Sequence, residues 1–236
     1  MRSVAVIPAR SGSERVPRKN LATLEGRSLV RRALETALAA GFDCVALSSD
    51  SDEILAEAEG LQVACVRRPV VLASSTARTF DVVIHALAEL EQAEERFDVV
   101  AVVQATSPFT APEDLAGARA LLERSGAASV VSVARLEAGL HPLKLKLLDA
   151  DGRLTAYLAE DALTPSHELP PLWTRNGSVY LSRREVLDAG SLIDETDVRG
   201  YEMPTERSFD IDTERDLAFA RFLSKELLRE EPPDPP

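Results

Sequence analysis

Over residues 1–134, short apolar runs alternate with longer stretches in which apolar residues recur every three or four positions. This alternation specifies βαβ units around a mostly parallel sheet, because strands covered by helices on both faces have no side left for polar residues. Residues 4–7, 45–47, 63–66, 99–103 and 129–133 read as strands. Leu29, Ala33, Leu34 and Ala37 have helical spacing and stop at Gly41. The segment SSDSDEI offers Ser and Asp caps to a helix reaching about Gly60, and further helices are expected over residues 80–92 and 113–124.

Beyond residue 134 the rhythm breaks. HPLKLKLLDADGRL reads as a strand pair turning at Asp151 and Gly152, and residues 164–173 are proline-rich and irregular. A strand over 178–181, a helix over 183–189 and a last helix from 213 to about 229 resume the pattern, ahead of the acidic tail EEPPDPP. The expected organisation is one α/β domain over 1–229, with 140–173 inserted in it and 230–236 disordered.

Composition narrows the function classes. With 27 Lys and Arg against 39 Asp and Glu, the net charge of −12 repels nucleic acid and anionic membrane. No apolar run approaches the ~20 residues that span a bilayer. Cys44 and Cys65 lie in apolar stretches without a neighbouring His or Cys, which fits neither a disulfide framework nor a zinc site. The opening MRSVAVIPA lacks the features of a secretory signal, so a cytoplasmic location is expected.

Ligands of open α/β sheets bind beyond the carboxyl ends of the strands. The first such loop, PARSGSERVPRKN, places Arg10, Arg15, Arg18 and Lys19 beside Gly12, Ser11 and Ser13. A cation cluster with small residues is either a polyphosphate site or a solvated basic loop. It matches neither the P-loop spacing nor the dinucleotide fingerprint. In the second constellation, Asp210-Ile211-Asp212, alternate residues of an extended segment share a side. Both carboxylates then reach one Mg²⁺, or Asp212 caps the last helix. Ser48-Ser49-Asp50 and Gln104-Ala105-Thr106-Ser107 are polar groups of the kind that commonly serve as caps.

Seven segments in order carry a family resemblance: IPARSGSERVPRKN, LSSDSDEI, RRPVVLASSTA, VVQATSPF, HPLK, RNGSVYL and SFDIDTERDL. Together they resemble the acylneuraminate cytidylyltransferases, whose relatives act on other nonulosonic acids. The resemblance implies a Rossmann-like nucleotidyltransferase sheet and Mg²⁺-dependent transfer of CMP from CTP to the anomeric hydroxyl of a nine-carbon keto acid sugar. By family position Arg10, Gly12, Ser13, Arg15, Lys19 and Asn20 meet the triphosphate and nucleotide, and Arg68, Ala77 and Thr79 surround the cytosine. Asp210 and Asp212 hold the metal, and Arg10, Lys19 and Asp212 are the expected catalytic groups. The sugar lies against Gln104, Thr106, Ser107, Lys144, Arg175, Asn176 and Tyr180. The resemblance also makes 140–173 a dimerisation arm of a homodimer, with Tyr157, Leu169, Leu172 and Trp173 meeting the partner.

Departures from the family pattern are Glu14 where a Lys is usual, Ser75 for an Asp, Ala105 for a Pro and Thr110 for an Arg. Sialate members lend an aromatic pair across the dimer, and here Ile193 and Asp194 fall at those positions. N-acetylneuraminate, legionaminate and pseudaminate all stay open as acceptors. Rival readings are a CMP-Kdo synthetase, whose opening normally has Lys-Pro where Lys19-Asn20 stands, a silent nucleotide-binding homologue, and a glycosyltransferase using Asp210 and Asp212. His85 reads as structural, and His141 and His167 as more exposed.

Overall fold

Val4 and Val6 of the first strand are buried in one apolar cluster and Ala5 and Ile7 in another, so the strand has a core on each face. That double burial explains why the strand runs of the sequence are apolar throughout. The protein is described here by a computed structural model, which covers residues 1–92, 96–158 and 164–227.

The chain begins with β1 (Ser3–Pro8), a short hairpin of β2 (Thr23–Leu24) and β3 (Arg27–Ser28), and α1 (Leu29–Ala39). It continues through β4 (Cys44–Ser49), α2 (Asp52–Ala56), β5 (Ala64–Arg67), α3 (Thr79–Leu90), β6 (Val99–Val103), α4 (Pro112–Ser125) and β7 (Ser129–Arg135). A second hairpin, β8 (Lys146–Leu148) and β9 (Leu154–Ala156), precedes β10 (Trp173–Arg183), α5 (Arg184–Asp188), β11 (Val198–Glu202) and α6 (Glu214–Leu227).

Among the described residues seven strands form one sheet in the order β11-β7-β10-β6-β1-β4-β5. β10 runs antiparallel to both its neighbours, and the other pairings are parallel. The expected mostly parallel sheet is present. α1 and α4 contribute to one core and α3 and α5 to the other. A third, smaller cluster joins Val16 of the first loop, Leu24, Leu29, Phe109, Ile211, Leu217 and Ala220.

Several local expectations need correction. α2 ends at Ala56, and the chain tightens into i to i+3 turns up to Leu61 instead of continuing as helix. Ser51 gives that helix no side-chain cap. β10 starts at Trp173, five residues before the expected strand, because Arg175 pairs with Val133 ahead of a register shift that Gly177, at φ 79°, accommodates. β11 and the β2–β3 hairpin lack the apolar alternation that marks a strand and were not expected. His141 is buried, not exposed, and its Nδ1 accepts from the Leu143 amide at 3.3 Å. The end of the last helix at about 229 and the tail at 230–236 lie outside the described residues.

The strand pair turning at Asp151 and Gly152 forms as expected, with the Gly152 amide donating to the Asp149 carbonyl at 3.1 Å. It makes a separate two-stranded sheet. Leu147, Leu148, Leu154, Tyr157 and Trp173 are all exposed. Among the described residues no helix is long and apolar enough to cross a membrane.

Candidate active site

The first loop and the acidic segment meet because apolar residues inside each of them share one core. Val16 is 1% exposed and Ile211 is 0% exposed, and both belong to the third cluster. Burying two such side chains contributes ~1.5–3 kcal/mol each. With Ile211 turned inward, the flanking Asp210 and Asp212 are left at the surface. The Ile211 amide also donates to the Thr106 carbonyl at 2.9 Å, which ties this segment to the loop after β6.

Asp212 does not cap the last helix. Thr213 does so, its hydroxyl accepting from the Asp216 amide at 3.2 Å while Asp216 accepts from the Thr213 amide at 2.8 Å. Asp212 is thereby released to face the first loop. Lys19 Nζ lies 3.4 Å from its Oδ1, and an Arg15 guanidinium nitrogen lies 3.2 Å from its Oδ2. Lys19 also donates to the Ile211 carbonyl at 2.6 Å.

A cavity of about 410 Å³ opens over the carboxyl ends of β1, β5 and β6, within the usual size of a small-molecule site. The first loop supplies Arg10, Ser13, Glu14, Arg15, Lys19 and Asn20. Arg68, Ser75 and Ala77 come from the segment between β5 and α3, Thr79 from the first position of α3, Gln104 and Thr106 from the loop after β6, and Asp212 from the segment before α6. Arg18 is diverted: held at φ 55°, it pairs with Glu53 outside this cavity. The basic loop therefore presents three cations to the cavity and turns the fourth away.

Arg68 is 5% exposed and is oriented by the Ser48 carbonyl at 2.7 Å and the Ser48 hydroxyl at 3.4 Å. Its burial pushes the guanidinium pKa down, Asp50 opposes that shift, and Arg10 adds to it. Asn20, also buried, holds the Arg10 carbonyl with its amide nitrogen at 2.9 Å. Its side-chain donor is thus engaged by the loop.

A second cavity of about 370 Å³ shares Thr79 and Gln104 with the first and adds Arg175, Tyr180, Ser191, Leu192, Ile193 and Glu195. Arg175 pairs with Glu195 at 2.6 Å. Ile193 reaches this cavity from the same chain, whereas Asp194 turns away to accept from the Thr196 amide and hydroxyl. Leu192 and Glu195, on the loop between α5 and β11, carried no sequence signal because that loop has neither periodicity nor motif spacing.

Five residues named by family position do not line either cavity, Asp210 among them. Asn176 is buried and fully engaged: its Oδ1 accepts from the Ser132 hydroxyl at 2.6 Å and its Nδ2 donates to Ser208 at 2.9 Å. Ser107 faces the back of its loop, towards Leu29 and Ala33 of α1. Lys144 donates to the Thr164 carbonyl within the inserted segment. Gly12 lies outside both linings.

Asp210 accepts from the Thr106 side chain, and its carboxyl pKa is raised, first by desolvation and then by the Asp212 charge. Among the described residues no cluster of three or more His, Cys, Asp or Glu side chains forms. The donor set is a pair of hard carboxylates with a cation, Lys19, already beside it. Such a pair suits Mg²⁺, which takes one or two carboxylates and completes its shell with phosphate oxygens and water.

The family profile described as cytidylyltransferase matches residues 4–228. The chain belongs to the cytidylyltransferase family. This cytidylyltransferase is 32% identical over 228 residues to a CMP-N,N'-diacetyllegionaminic acid synthase of Legionella pneumophila, covering 94% of this chain and 96% of that one. It is 28% identical over 223 residues to an N-acylneuraminate cytidylyltransferase of Streptococcus agalactiae, spanning 92% of this chain and 52% of that relative. A solved CMP:2-keto-3-deoxy-manno-octonic acid synthetase in complex with CTP shares the fold, with a TM-score of 0.69 at 20% identity over 97% of this chain and all of the other.

Proposed function

We propose that this cytidylyltransferase transfers CMP from CTP to the anomeric hydroxyl of a nonulosonic acid and releases pyrophosphate. The observation that carries the reading is the convergence of Arg10, Arg15, Lys19 and Asp212 on one cavity that adjoins a second cavity containing Arg175. The first accommodates the nucleotide triphosphate and the second the acidic sugar.

In the reaction the sugar hydroxyl oxygen attacks the α-phosphorus and gives up its proton to solvent, the bond from that phosphorus to the oxygen bridging it to the β-phosphate breaks, and pyrophosphate leaves. Charge builds on the phosphate oxygens, and preset cations stabilise that charge more than they stabilise the ground state. Lys19 is fixed by the Ile211 carbonyl and Asp212, so it meets the phosphates without reorganisation. Arg10 has no carboxylate within ion-pair distance among the described residues and offers its full charge to the triphosphate. Arg68, held by Ser48, suits the carbonyl edge of a cytosine, with Ala77 and Thr79 beside it. Arg175 exchanges its exposed partner Glu195 for the acceptor's carboxylate, a cheap exchange because exposed pairs contribute little.

Asp210 and Asp212 would hold Mg²⁺, which, when bound, polarises the phosphate and lowers the pKa of an attacking hydroxyl. The reading includes a cytoplasmic enzyme and a homodimer formed through the exposed apolar residues of the 140–173 segment. Light scattering on the full chain tests the dimer.

Pyrophosphate release from CTP and Mg²⁺, measured with sialic, legionaminic, pseudaminic and Kdo acids, tests the function. Release with a nine-carbon acid supports the proposal. Turnover of Kdo alone transfers the reading to an eight-carbon acceptor, and silence throughout, with CTP still bound, leaves a nucleotide-binding homologue.

A further inference from the structure

The peptide unit joining Arg10 to Ser11 is gripped at both ends. Its carbonyl oxygen accepts from Asn20 Nδ2 at 2.9 Å, and its N–H donates to Asp50 Oδ1 at 2.9 Å. The second Asp50 oxygen accepts from the Ser11 hydroxyl at 2.5 Å. A planar peptide held on opposite edges cannot rotate, so the Cα–Cβ direction of Arg10 is set before any ligand arrives. Asp50 is in turn fixed, its carbonyl accepting from Arg67 at 2.7 Å.

Charge adds a second reason. Arg10 and Arg68 line the same cavity and repel each other, while Arg68 is already penalised by burial. Asp50 is the carboxylate whose charge offsets that penalty, and it does so from behind the loop, outside the cavity lining. Neither Arg10 nor Arg68 has a carboxylate within ion-pair distance among the described residues, although Arg68 donates to Ser48 and to the Leu72 carbonyl.

We propose that Asp50 is a positioning residue of the nucleotide site: it locks the Arg10–Ser11 peptide and sets its charge against that of Arg68, so that both cations are held together ready for a triphosphate. It touches no substrate atom and acts through Ser11, Arg10 and Arg68. The inference rests on the reading of this cavity as the CTP site.

The test is calorimetric titration of the full chain with CTP, alongside the steady-state KM values for CTP and for the acceptor. Asp50→Ala is expected to weaken CTP binding about tenfold or more, as loss of charge-assisted hydrogen bonds does. The acceptor KM should stay within about twofold, a split that general loss of structure does not produce. Ser11→Ala, a change at an exposed residue that removes only the hydroxyl bond, is expected to weaken CTP binding about threefold and covers the case in which Asp50→Ala fails to fold. In Asn20→Ala/Asp50→Ala the combined loss should fall short of the product of the single losses, because both residues hold one peptide. Unchanged CTP affinity in Ser11→Ala and Asp50→Ala, or equal weakening of CTP and acceptor, overturns the proposal. A wild-type chain that binds no CTP overturns the functional reading and this inference together, which separates the two failures.

Discussion

Lys19 donates to the backbone carbonyl of Ile211 at 2.6 Å, across 192 residues of chain, and its ammonium lies 3.4 Å from Asp212 Oδ1. The basic loop and the acidic segment thereby meet, with Asp212 facing the cavity that the loop lines. The contact is possible because Val16 and Ile211 occupy the same small core.

Removing that cation should cost turnover. Lys19→Met is expected to lower kcat/KM by about 10²-fold, the usual size of losing one preset charge at a developing oxyanion. Pyrophosphate-release kinetics read this directly, and a loss under about fivefold would deny Lys19 a catalytic role.

Asp212 should separate activity from stability. Its pairs with Arg15 and Lys19 are largely solvent-exposed on the carboxylate side and contribute little to folding. Asp212→Asn is therefore expected to cut activity about 10²-fold or more at any Mg²⁺ concentration, while thermal unfolding shifts by no more than about 2 °C. A large fall in Tm with activity retained per folded molecule would contradict the metal assignment.

Among the described residues Glu14 has no hydrogen bond or ion pair, and it lines the cavity shared by Arg10, Arg15 and Lys19. An uncompensated carboxylate there opposes a polyanion. Glu14→Lys should lower the KM for CTP about fivefold with kcat little changed, and a raised KM would show that Glu14 serves the site in its present charge state.

The pair Asp114 and Arg207 should matter for folding rather than for chemistry. Asp114 is fully buried, accepts from Arg207 at 2.8 and 2.9 Å, and also accepts from the Ala111 amide at the start of α4. Asp114→Ala leaves the amide and the guanidinium without their acceptor. Breaking a buried pair costs ~3–5 kcal/mol, and the partly exposed guanidinium reduces this to about 2–3 kcal/mol. Urea unfolding would measure it, and a change below about 1 kcal/mol would show that water replaces the pair.

Much of this protein is local, and what is local can be read from the chain. The parallel core strands follow from apolar runs such as residues 99–103, buried on both faces. The cation-rich loop and the acidic pair stand out because each is contiguous in sequence. Tertiary structure decided what pairing and packing alone determine. It turned Arg18 away to Glu53 and kept Arg15 at the cavity, a choice that loop composition does not contain. Asn176 became a buried hydrogen-bond hub between β7 and Ser208 instead of a cavity residue. Leu192, Ile193 and Glu195, from a loop with no periodicity, came to line the second cavity. The sequence by itself determined the layered α/β core and which charged segments are present, because strand and helix periods act over a few residues. Which of those charges face one another was decided only when distant segments shared a core, as Val16 and Ile211 do, since a side chain's direction depends on what its neighbours bury.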